Sequence, residues 1–154
     1  MRSLRAGVVI LLLSAGSVQA ADVTFTGIVL NTCTLVATPG LLGLSADGDT
    51  LGSEEIGGLS AEVAIVSLGI NTVTVAAPTR TGSPGSYNAS GETVSVAYHG
   101  LVALGAITQA YTTSSTNFSV GILPLTVVEI DNRIVNANGF TQGTYETTTV
   151  VTCS

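Results

Sequence analysis

From Val23 to Cys153 the sequence is a succession of short runs in which apolar and polar residues alternate. A period of two places every second side chain on one face of an extended strand, so each run has one face to bury and one for water. The runs cover residues 23–26 and 28–30, 61–70, 72–77, 93–98, 101–107, 118–123, 125–130 with a short piece at Val135, and 144–153. Thr and Val, which suit a pleated and half-buried surface, fill most of them. The breaks have their own chemistry. Pro39-Gly40 and Ser83-Pro84-Gly85-Ser86 are turn sequences, while Asp47-Gly48, Gly91 and Asn138-Gly139 suit positive φ. No stretch has a helical period with caps at both ends, and the nearest to one is residues 60–66. Roughly seven to ten strands at this spacing predict an all-β chain folded as one antiparallel β-sandwich.

The first 20 residues read differently. Arg2 and Arg5 precede a short apolar run over residues 7–13, and Val18-Gln19-Ala20 forms a small-x-small cleavage signal. This is the pattern of a secretory signal peptide. The apolar run falls short of the roughly 20 residues a spanning helix needs, and no later stretch reaches that length. The expectation is an exported chain with a signal peptide at 1–20, one domain at 21–154 and no membrane span.

Removing residues 1–20 leaves only Arg80 and Arg133 against ten acidic residues, a net charge of −8. There is no lysine anywhere. Nucleic-acid binding is excluded as an expectation, because neutralising phosphates needs clustered Lys and Arg. Charged residues are only 9% of the chain, so the groups that move protons or hold metals are scarce. His99 is the single histidine, at the end of a run and without a G-x-S-x-G motif elsewhere, so it reads as a surface residue rather than a base. The loop around Asp47, Asp49 and Glu54 offers oxygen ligands of the kind Ca²⁺ prefers, but Leu51 and Gly58 occupy ligand positions of the EF-hand spacing. It reads as a solvated acidic loop. Neither an enzyme nor a cofactor is expected.

Cys33 and Cys153 are the only cysteines. In an exported chain an even number reads as disulfides, and here only one intramolecular pair is possible. Free or intermolecular thiols are the alternative.

The two ends of the expected mature chain carry a resemblance. Residues 23–35, VTFTGIVLNTCTL, present Phe25, Gly27, Val29 and Cys33 in an F-x-G-x-V start followed by a cysteine. Residues 143–154, GTYETTTVVTCS, give Gly-x-Tyr and then alternation to the end. Both resemble the corresponding segments of bacterial chaperone–usher pilins and related fimbrial proteins, and the spore coat protein U group has similar ends. The resemblance implies an immunoglobulin-like sandwich lacking its final strand. A periplasmic chaperone fills the groove first, and at an outer-membrane usher a neighbouring subunit's N-terminal segment replaces it. Carried to this chain, Val23, Phe25, Gly27 and Val29 would be the donor positions, or an ordinary first strand. Tyr145, Thr147, Thr149 and Val151 would belong to the receiving edge. The partners implied are other pilin-like subunits or further copies of this chain. Two features depart from that family: Cys33 can pair only with the penultimate residue, and only about a dozen mature residues precede it. A self-complete, monomeric binding module is the second reading.

Overall fold

In the computed structural model, residues 32–102 and 105–154 are described, and they contain strands and no helix. The expected signal peptide and Val23, Phe25, Gly27 and Val29 lie outside the described residues. No helix among the described residues is long and apolar enough to cross a membrane.

Among the described residues twelve strands follow one another: β1 (Cys33–Thr38), β2 (Gly43–Leu44), β3 (Thr50–Gly52), β4 (Ala61–Ser67), β5 (Asn71–Val75), β6 (Thr79–Gly82), β7 (Thr93–Val102), β8 (Gly105–Thr112), β9 (Thr116–Val120), β10 (Leu123–Val135), β11 (Glu146–Thr148) and β12 (Val151–Cys153). All their pairings are antiparallel. The larger sheet is centred on β10, whose edges carry β4 and β3 on one side and β7 on the other. β1 closes this sheet beyond β4, and β8 closes it beyond β7. The second layer has the order β12-β5-β9, continued by the pair β11-β6.

Alternation builds the core. Val63 and Ile65 of β4, Val96 and Tyr98 of β7 and Val128 and Ile130 of β10 point inward from the larger sheet. They meet Val73 and Val75 of β5 and Val120 of β9 from the other. The result is a sandwich-like, all-β arrangement, open along one side.

The strands depart from the alternating runs in ways the backbone explains. Residues 61–66, the body of the helical candidate, lie in β4 and not in a helix, and β4 stops at Ser67, whose buried hydroxyl donates to the Gly69 carbonyl at 2.7 Å. The run 101–107 divides between β7 and β8. Residues 125–130 and Val135 belong to one 13-residue strand, β10. The last run divides into β11 and β12, opposite the point where Pro78 separates β6 from β5. Proline has no N–H to give a ladder. Ala76 N–H donates to Val150 O at 2.8 Å and holds the two halves in line. At the turns Gly48, Gly91 and Gly139 have φ of 77°, 79° and 71°, a region costly for a side chain with Cβ.

Candidate functional site

β1 is the outer strand of one sheet and β11–β12 the outer strand of the other. Among the described residues each pairs on one side only, so their two outer edges run along the same open side of the sandwich. Between them lies a groove of about 480 Å³. Leu35, Ala37 and Leu41 line one wall, and Tyr145, Thr147, Thr149 and Val151 the other. Ala61, Val63 and Ile130 form its floor, so it opens directly onto the core.

All four residues assigned from sequence to the receiving edge line this groove. From Tyr145 to Cys153 the strand alternates half-buried and exposed residues without interruption, even across the gap between β11 and β12. Tyr145, Thr147, Thr149, Val151 and Cys153 form the half-buried set. The ring of Tyr145 packs edge-on against Tyr87 and Phe140, and its hydroxyl donates to Thr141 O at 2.9 Å. That contact fixes the start of the strand at the groove's far end.

At the near end Cys33 and Cys153 are disulfide-bonded, with their Cα atoms 6.1 Å apart. The bond joins the first strand of one sheet to the last strand of the other, and it fits an oxidising environment. The groove lining begins beyond it, at Leu35 and Val151. The two walls are therefore pinned together at one end and stand apart at the other.

Asn132 was not singled out by its sequence pattern, yet from β10 it ties the central strand of the larger sheet to the β11–β12 wall. Its Nδ2 donates to Thr147 Oγ1 at 3.0 Å, and its Oδ1 accepts from Thr149 Oγ1 at 2.8 Å. Beside it Asp131 is buried and accepts from Ser53 Oγ at 2.8 Å and Ser60 Oγ at 2.6 Å. Ser53 and Asn132 join the threonines of the β11–β12 wall as polar groups lining the groove.

The other chemistry-bearing residues are scattered. His99 is exposed on β7, with Nε2 3.3 Å from the Glu129 carboxylate on the neighbouring strand. Asp47 accepts from the Ser45 hydroxyl, and that bond together with Asp49 holds its carboxyl below the usual carboxylate range. Asp49 accepts from Thr50 Oγ1. Glu54 instead accepts from Tyr111 OH at 2.8 Å. Among the described residues no three His, Cys, Asp or Glu side chains gather as a metal site. Arg80 is bound to Glu92 through Nε at 2.8 and 2.9 Å and lies over the Tyr87 ring, and Arg133 stacks 3.8 Å from the Tyr111 ring centroid.

No known protein family, curated protein or solved structure matches this chain.

Proposed function

We propose that this chain is an exported structural subunit that assembles by β-strand addition, with the groove between β1 and β11–β12 as the receiving site. The observation that carries this reading is the groove itself. Its walls are two strand edges that no described strand pairs, its floor is the apolar core, and its half-buried face alternates as a strand partner would. An added strand supplies main-chain hydrogen bonds to both edges and places alternate side chains into the interior. An edge left open is otherwise an aggregation hazard. In this reading the sandwich is immunoglobulin-like and incomplete. A periplasmic chaperone covers the groove in transit, an usher exchanges it, and the assembled protein stands at the cell surface.

The occupant is the segment of a second copy that presents Val23, Phe25, Gly27 and Val29 on one face. Filling in cis is disfavoured by the disulfide. A strand between two others needs them about 9.5 Å apart, twice the ladder spacing, and Cys33 and Cys153 stand at 6.1 Å. To reach the open end of its own groove, the chain would first have to run back along β1. That consumes about six of the eleven residues 21–31 at roughly 3.3 Å each. A neighbour's segment meets no such limit.

The test is a chain lacking residues 21–29. On this reading it stays folded, no longer self-associates, and binds a synthetic peptide of residues 21–31 in the groove. If the shortened chain merely unfolds, and the intact mature protein is monomeric, strand addition is wrong.

A further inference from the structure

The end of the sandwich at which β1 begins carries a preformed apolar surface. Leu68 and Ile70, in the loop between β4 and β5, are 60% and 72% exposed, and Ile122, between β9 and β10, is 71% exposed. A buried polar cluster holds the first loop in place. Asn71 is 5% exposed, and its Nδ2 donates to Ser67 Oγ at 2.7 Å and reaches the carbonyls of Gly69 and Thr32 at 3.4 Å. Leu68 N–H donates to Thr32 O at 3.0 Å. The loop's polar groups are thus satisfied inward while its two aliphatic side chains are held in water.

The two segments that carry this surface hold no side chain charged at neutral pH. No Asp, Glu, Lys, Arg or His lies between Glu62 and Arg80, or between His99 and Glu129. In a mature chain of net charge −8, copies repel one another. An end with no acidic side chain in these two segments is where a second copy can approach without bringing side-chain carboxylates together.

We propose that Leu68, Ile70 and Ile122 form a docking surface for a second copy of this chain, seated on the apolar rim at the open end of that copy's groove. The inference rests on the strand-addition reading and adds a contact to it. If Val23, Phe25, Gly27 and Val29 occupy a neighbour's groove, only Leu30 and Asn31 separate them from Thr32. Three Cα steps span at most about 11 Å. The neighbour's groove mouth must therefore abut the Thr32–Leu68 corner. The disulfide-pinned end cannot admit a strand, so the abutting end is the other one. There Leu41, Ile56 and Leu59 are 61%, 88% and 57% exposed, and Leu41 and Leu59 hydrogen-bond each other through both backbone groups. The two patches lie at opposite ends of the sandwich. The contact is head-to-tail and does not close on itself, so it propagates as an open filament.

The experiment uses the intact mature protein, followed by sedimentation velocity, with a synthetic peptide of residues 21–31 as competitor. The Leu68→Asp/Ile70→Asp variant is expected to melt like the parent and to self-associate about ten-fold or more weakly, the size of effect seen on truncating central interface residues. In it the peptide still displaces whatever association remains. An equimolar mixture of Ile70→Cys and Ile56→Cys proteins, treated with a short bismaleimide, is expected to give a mixed dimer. Unchanged association of the double aspartate variant, with the peptide still competing, overturns the docking surface and leaves the groove reading standing. Failure of the peptide to compete in the parent protein overturns the groove reading and this contact with it. Cross-linking of Ile70→Cys only to itself overturns the head-to-tail arrangement.

Discussion

Asn132 stands on β10 with its amide between two hydroxyls of the β11–β12 segment, donating to Thr147 and accepting from Thr149. Each such bond adds about 1 kcal/mol net, and leaving its partners unpaired costs more. Asn132→Ala is expected to lower stability by about 1–2 kcal/mol in urea unfolding. It should also speed amide exchange over residues 145–149 more than elsewhere. Nothing in the sequence marked this residue, because Asp131-Asn132-Arg133 reads as the break between the run 125–130 and Val135 until the partners of Asn132, fifteen and seventeen positions away, are known. Two tyrosines make a second prediction. Burial is the largest cause raising the Tyr111 hydroxyl above its ordinary value near 10, with the bond to Glu54 adding to it. Burial likewise raises Tyr87. Both favour the neutral ring in the folded state, so their contribution is complete below about pH 10 and is lost as pH rises beyond it. Stability should therefore fall above pH 10. Of the four tyrosines, these two should show phenolate absorbance at 295 nm only above the ordinary range, or once urea has unfolded the chain.

The first and last strands are the elements on which the proposed function turns, and their positions are set by one bond between them. Cys33 and Cys153 are 120 positions apart. Closing a loop that long contributes close to 4.7 kcal/mol in the chain-entropy account, although measured values are commonly about 2–4 kcal/mol. Replacing both cysteines by serine is expected to lower unfolding free energy by about 2–4 kcal/mol, with no loss on adding reductant thereafter. That two cysteines allow one pairing was legible in the sequence. That the pair shuts one end of a groove was not, since it depends on which sheet each strand joins. Element boundaries show the same division. Alternation located β4, β5, β7 and β9, but the two-residue β2 and three-residue β3 are too short to show a period. β6 contains Arg80, bound to Glu92 across the β6–β7 connection, and its local sequence carries no apolar alternation.

At the scale of the molecule, charge and surface decide whether copies meet. Residues 21–154 carry two arginines against ten acidic residues, so copies repel, and the repulsion is screened over about 10 Å at 0.1 M salt. Raising salt from 0.02 to 0.3 M is expected to speed self-association. Light scattering that is unchanged or slower at high salt would count against association through an uncharged end. The amino-acid sequence by itself determined the all-β class, the alternating face from Tyr145 to Cys153, the sign of the charge and the single possible disulfide. Each is local or compositional: a period of two, a count, a pair with no rival. Only the tertiary structure decided that, among the described residues, β1 and β12 end opposite sheets, that their outer edges flank an opening onto the core, and that Leu68 and Ile70 are held outward beside buried Asn71. Those facts belong to pairings between residues far apart in the chain, and a run of alternating residues carries no record of which neighbour it will find.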